Sequence, residues 1–534
     1  MKAKRIQHDN TMNGLHESSK IQASNSKEIP KSKLQKRTTK VERGKQLRIG
    51  NWSLFEAWNL KLGISAKTSR RHFLTQSGSG IGLAALGWLL QQNGHAAQSS
   101  PYTAKPMHFA PTAKRIIHVC ALGGVSHVDT FDPKPELTKR HGQEYKDKNY
   151  DPFFGKPGRI RQSPWEFHRH GQSGIPMSTL LPHLATCVDE LAFVYSMHSK
   201  SSNHTPATFL ENTGFTLNGF PSLGAWISYG LGSENQDLPA FIVLPDARGL
   251  PAGGSINWTP GFLPSVHQGV AFNTEGPPIS DLETPANLSP AARKASMEFL
   301  ARMNQKFAGA HPHEDALRAR IRSYELAAKM QLSVPEITDI QRESKATREL
   351  YGADDELTGG FGRNCLLARR LSERGVRFVQ VFNGGAFGSP RINWDAHEDL
   401  VRNHGNQAAT MDRPVAGLIK DLKSRGLLDE TLVLWTTEFG RTPVTQGLDG
   451  KGRDHHPGAF TVWMAGGGIK GGTTFGSTDG LGFYVREKPQ QFYDIHATML
   501  HLMGMDHEAL TYYHNGIQRR LTDVHGHVIH ELLA

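Results

Sequence analysis

Cysteine is nearly missing: Cys120, Cys187 and Cys365 are the only three in 534 residues. An odd, widely spaced trio excludes a disulfide framework and a thiolate metal knuckle. Cys120 and Cys365 lie in apolar patterns and read as core thiols. Net charge is missing from the body as well. Of 61 Lys/Arg and 50 Asp/Glu, residues 1–97 hold 17 and 5, which leaves 44 against 45 for the rest. That balance lacks the electrostatic footprint of a nucleic-acid binder. The apolar run "GIGLAALGWLL", Gly80–Leu90, is too short to span a membrane. No internal repeat is visible. With 37% apolar and 8% aromatic residues, the composition still suits a soluble globular protein.

The basic excess therefore belongs to a leader. "SRRHFL", Ser69–Leu74, is a twin-arginine signature, followed by the short apolar run and small residues with a cleavage point after Ala96 or Ala97. Residues 69–97 read as a signal peptide for the twin-arginine export machinery, which carries folded proteins. This order points to a periplasmic or secreted protein with no stable membrane anchor after cleavage, and it is compatible with a metal loaded inside the cell. Residues 1–68 are polar, Ser/Lys-rich and aperiodic, and read as a disordered basic leader.

From residue 111 to 534 helix and strand signals alternate. Apolar, β-branched runs at 115–122, 240–244, 376–382, 431–437 and 459–465 read as strands. Between them lie helical stretches at 289–351, 364–375 and 418–422, and another follows at 493–504. The pattern predicts an α/β fold with a mainly parallel central sheet flanked by helices. In such sheets ligands gather beyond the carboxyl ends of the strands.

Histidine is abundant, with 27 copies, many beside Asp, Gly or Asn. The polar clusters sit at strand ends. "GGVSHVDTFDPKP" brings Ser126, His127 and Asp129, and "NHTPATFLENTG" brings His204 and Thr205. "NWDAH" brings Asp395 and His397, "TTEFGRTP" brings Glu438 and Arg441, and "GRDHHPGAFTVWMAGGG" brings Asp454, His455 and His456. Imidazole and carboxylate without thiolate is the ligand set of Zn, Mn or Fe, and less typically of Ca or Mg. The reading is one or two divalent ions, Zn or Mn favoured and Ca compatible, held by Asp395, His397, Glu438 and His456. His127, Asp129 and His204 would lie close by. In an extended backbone His455 and His456 point opposite ways. His456 is assigned to the pocket because it is nearer the strand and Pro457 holds it extended. Arg441 is read as a fork-shaped donor to anionic oxygens.

These motifs resemble the bacterial family called domain of unknown function 1501, over about residues 111–534. That family is similar to the alkaline phosphatase and sulfatase superfamily, whose members bind one or two divalent metals and hydrolyse phosphate or sulfate esters. By this resemblance His204 falls on the nucleophile position, with Thr205 next to it. "NWDAH" resembles the segment supplying an Asp and a His to one metal, and "TTEFG" the segment supplying an Asp and a His after a strand. His455 or His456 resembles the last metal-binding His. Three departures stand out. Gly123-Gly124 occupies the place of the first metal ligand, a His stands where the nucleophile is expected, and Phe439 cannot bind metal.

Two functions follow as expectations. One is an exported, metal-dependent hydrolase of sulfate or phosphate esters, acting on an anionic small molecule or polysaccharide ester. Its nucleophile would be Thr205, Ser126 or water activated by the ion. The other is an exported, non-catalytic binding protein for an anionic polysaccharide or metal.

Overall fold

Strand β1, Arg115–Ala121, sorts its side chains by simple alternation. Ile117, Val119 and Ala121 enter one apolar layer, while Ile116 and Cys120 enter another on the opposite face of the sheet. The computed structural model from which this is taken describes residues 104–146, 150, 152–153, 157–273, 278, 289–311, 315–388 and 390–534. The leader and signal-peptide segments, 1–68 and 69–97, lie outside the described residues.

The other strands of the main sheet are β2 (Leu191–Met197), β3 (Phe241–Leu244), β4 (Val270–Ala271), β5 (Phe378–Asn383), β6 (Thr431–Thr436), β9 (Phe460–Ala465) and β10 (Thr473–Phe475). Two short strands, β7 (Gly440–Gln446) and β8 (Arg453–His456), pair with each other, and β7 also pairs with Pro157–Ile160, in a separate small sheet. The main sheet runs β10-β2-β9-β6-β1-β5-β3-β4. Every pairing in it is parallel except those of β9, which runs against both β2 and β6. The fold is α/β, a mainly parallel sheet covered on both faces.

One cover consists of α5 (Gly359–Glu373) and α6 (Leu400–Ser424), whose Leu366, Leu371, Val415 and Leu418 join the layer of Ile117 and Val119. The other consists of α1 (His204–Thr213), α2 (Leu223–Leu231) and α7 (Phe492–Leu502). The charged stretch after residue 289 forms two long helices, α3 (Pro290–Ala310) and α4 (Asp315–Thr338). Ser289 caps α3 by accepting from Ala292 N, and Pro290 takes the first helical position.

Two features were not read from sequence. β2 is an apolar strand, broken only by Ser196, that no turn signal announced. The direction of β9 was hidden too, because an apolar run looks alike read either way. That direction matters. A strand running against its neighbours begins where they end, so the residues just before β9 lie at the carboxyl edge. This explains why "RDHH" stands at the mouth of a buried strand. Among the described residues, no helix is long and apolar enough to cross a membrane. All three cysteines are buried and unpaired with one another.

Candidate functional site

Four chain segments meet at one carboxylate oxygen, Oδ1 of Asp395. His204 opens α1, which follows β2, and its Nε2 lies 3.4 Å from that oxygen. His397 Nε2 lies at 2.9 Å and His455 Nε2 at 3.1 Å. Arg441 Nη2 donates to it at 2.6 Å. The second oxygen, Oδ2, accepts from Arg391.

Each imidazole is held from behind. His204 Nδ1 meets Glu438 Oε1 at 2.6 Å, His397 Nδ1 meets Gln446 Oε1 at 2.6 Å, and His455 Nδ1 meets the Ser202 carbonyl at 2.7 Å. These partners accept, so each Nδ1 carries the hydrogen and each neutral ring turns its Nε2 lone pair toward Asp395. His397 and His455 bring their Nε2 atoms within 2.8 Å of each other. Two lone pairs and a carboxylate oxygen at that spacing repel unless a cation lies among them, either a proton or a metal ion. His204 Nε2 is buried and makes no hydrogen bond.

The electrostatics agree. Burial opposes the charged form of Asp395, but Arg441 and then the three imidazoles outweigh it and hold the carboxyl far below the usual range. Burial, reinforced by Arg441, pushes His455 down to about 2, so its ring is neutral. Burial works against the charge of His204 too, but the neighbouring carboxylates of Asp395 and Glu438 prevail and raise its pKa. Three imidazole nitrogens and a carboxylate, each imidazole backed by an acceptor, fit a divalent metal by donor chemistry. The residues that would hold it are His204, Asp395 and His455, whose donor atoms lie within 4.8 Å of one another, with His397 Nε2, 2.8 Å from that of His455, as the further donor.

The family model described as "Protein of unknown function (DUF1501)" matches residues 113–533. The chain belongs to this family. No curated protein matched the sequence. Among solved structures, the chain is similar to a protein of the alkaline phosphatase superfamily from Vibrio parahaemolyticus, at 11% identity and a TM-score of 0.33, covering 77% of this chain and 71% of that one. A sulfatase from Pseudoalteromonas sp. is similar at 12% identity and 0.29, covering 80% and 72%. Alkaline phosphatase from the Antarctic bacterium TAB5 is similar at 10% and 0.30, covering 73% and 98%.

In this DUF1501 protein several candidate residues stand elsewhere than the sequence reading put them. His455, not His456, faces the pocket. β7 and β8 pair Arg441 with His455 and Gly440 with His456. Residues directly opposite share a face, so His455 joins Arg441 at Asp395. His456 turns to the Phe483 carbonyl beside Tyr150 and Tyr484. A Cβ added at Gly440 would come 3.2 Å from His127 Nδ1, so His127 shares that rear face, with its Nε2 on the Gly482 carbonyl. The cross-strand partner decides the facing, and nearness to β9 does not.

Glu438 is not among the converging donors. Its oxygens accept from Gly123 N at 2.9 Å and Gly124 N at 3.3 Å, besides His204. Gly123 has a φ of 118°, and a Cβ there would lie 2.5 Å from Asp395 N, so the glycine pair is required twice over. Glu438 therefore anchors His204 and is not directed at Asp395. Asp129 is buried against Arg453, at 2.7 and 3.1 Å, and also accepts from Ser126 Oγ at 2.5 Å. Neither Ser126 nor Asp129 is directed at Asp395. Arg441 is fully buried and bonded to the carbonyls of Gly123, Gly124 and Arg453 as well as to Asp395. Four of its five N–H donors are taken by these partners, and burial keeps the whole group from solvent. Thr205 is half-buried beside His204 in the first turn of α1. Among the described residues, the donor atoms of His204, Asp395 and His455 are grouped closely enough to hold an ion at this edge of the sheet.

Sequence reasoning missed Arg391, Gln446 and the Ser202 carbonyl. Arg391 had a faint signal, four residues before Asp395. The other two had none, since an anchoring acceptor has no motif. A second group of donors, His118, Cys120 and Glu211, lies deep behind α1. There the Thr436 hydroxyl already fills the centre, 2.7 Å from His118 Nε2 and bonded to Glu211 Oε1.

His455→Ala should reduce bound metal by at least tenfold, whereas His456→Ala should leave it within a factor of two. Elemental analysis of each variant, purified without chelator, checks this. Equal retention in both would remove His455 from the site.

Proposed function

We propose that this protein is a metal-dependent hydrolase of sulfate or phosphate esters. The observation that carries the reading is the convergence of three back-anchored imidazoles on Asp395. An ion bound there would supply Lewis acidity toward an anionic ester oxygen. The chain's own residues supply the rest. Glu438 fixes the tautomer and direction of His204. Gln446 and Ser202 do the same for His397 and His455. Phe387 and Phe439 flank the His204 ring at 4.2 and 5.0 Å, and Phe153 stacks on His455 at 4.9 Å. These rings lower the local polarity around the imidazoles, which strengthens charge interactions inside the site. Arg391, 30% exposed in its side chain, is the guanidinium at Asp395 that reaches solvent, and it replaces Arg441 as the group to steady a substrate anion. Thr205, beside His204, is the candidate side-chain nucleophile, and water is the other.

A second reading, a binding protein without turnover, is favoured by one observation. Two guanidinium groups already balance Asp395. Aryl sulfate and aryl phosphate esters separate the two readings. The hydrolase reading expects release of the aryl alcohol, loss of it with chelator, return with added Zn or Mn, and a drop of about 10–100-fold in Glu438→Gln. A metal-loaded protein that binds these esters and turns over neither belongs to the second reading.

Export through the twin-arginine machinery is part of the proposal, supported by "SRRHFL" and the small-residue exit that follows. Changing Arg70 and Arg71 together to Lys keeps the charge and loses the planar fork. Cell fractionation should then find the uncut form in the cytoplasm, and mature protein outside it would contradict export by this route.

A further inference from the structure

Helix α3 packs on α4 through one side, where Met297, Ala301, Asn304 and Ala308 are half-buried. Most of its circumference faces solvent. On that exposed part stand four large apolar side chains: Phe299, Leu300, Met303 and Phe307, exposed by 56, 51, 52 and 53%. At 3.6 residues per turn they fall within a stripe about 100° wide. Arg302 and Lys306, both exposed, border one side of it. The helix carries Arg293, Lys294, Arg302 and Lys306 against a single acid, Glu298, while the whole body beyond residue 97 is close to neutral.

We infer that α3 is an interfacial helix that seats this protein reversibly on an anionic lipid surface. The inference is independent of the hydrolase reading. A convex apolar stripe edged by long cationic side chains is the geometry of a helix lying in a bilayer interface. The rings enter the acyl boundary, and the Arg302 and Lys306 stems lie along it with their heads among lipid phosphates. A second copy fits less well, because pairing two such helices along the stripe brings the exposed Arg302 and Lys306 of both to one seam. A continuous 21-residue helix with Arg, Lys and Glu in its length lies on a membrane and does not cross it. The association is therefore peripheral and salt-sensitive, and it adds no permanent anchor.

The test uses the full chain with Met303→Cys carrying an environment-sensitive fluorophore. The native cysteines are all buried, so the label goes to one place. Vesicles of phosphatidylglycerol and phosphatidylcholine should blue-shift the label at low salt, with reversal at high salt and no shift on phosphatidylcholine alone. Arg302→Glu with Lys306→Glu should weaken vesicle partition at least tenfold, and so should Phe299→Ser with Phe307→Ser. Unchanged melting of both pairs of variants would show that the body still folds. Co-sedimentation without a change at the label means that another segment binds, and it overturns the inference. A label shift that needs no lipid, rises with protein concentration and accompanies a dimer mass in light scattering would assign the stripe to a second copy instead.

Discussion

Asp395 is the interaction on which the site depends. Its buried carboxylate ties the end of β1, through Arg441 and Gly123, to the start of α1, the loop after β5 and the β7–β8 hairpin. Burying a carboxylate is costly unless its charge is matched and its lone pairs are filled. Here Arg441 and Arg391 match it and the imidazoles crowd the remaining directions. Removing Asp395 would leave Arg441 buried with an uncompensated charge. The same arrangement explains why the three Nε2 atoms converge: a single small anion can be approached from several sides only by groups from several segments.

The sheet makes that convergence possible. Parallel strands end together, so β1, β2, β5 and β6 deliver four loops to one edge. β9 runs the other way and delivers its leading residues to the same edge. The glycine pair after β1 leaves no side chain there, and its N–H groups receive Glu438. An anion accepted by backbone donors thus stands at the end of β1. Glu438 in turn directs His204, so a change at one strand end is balanced by a side chain from another.

Much of this was legible in the sequence. The strands at 115–122, 240–244, 376–382 and 431–437 match the observed elements to within about two residues, because buried parallel strands are unbroken apolar runs. Asp395 and His397 drew attention as polar residues in the segment after a legible strand, and His204 as part of the motif "NHTPATFLENTG". What could not be read was facing. His455 and His456 differ by one residue, and the choice between them rests on Arg441, which pairs across from His455. Arg441 looked like a substrate clamp because sequence shows a guanidinium but not the carbonyls of Gly123, Gly124 and Arg453 that consume it. Asp129 and Ser126 looked available for the same reason. Their partners, Arg453 and each other, are visible only once the hairpin has folded over the one-turn helix His127–Thr130.

The central claim is that a single divalent ion belongs among three imidazoles and Asp395. X-ray absorption at the edge of the ion that co-purifies with the protein tests it most directly. The expected result is about one ion per chain in a shell of nitrogen and oxygen at roughly 2.0–2.2 Å for Zn, with the outer scattering of three imidazole rings and no sulfur. A sulfur shell, a single ring or none, or a protein that holds no ion when prepared without chelator would contradict it.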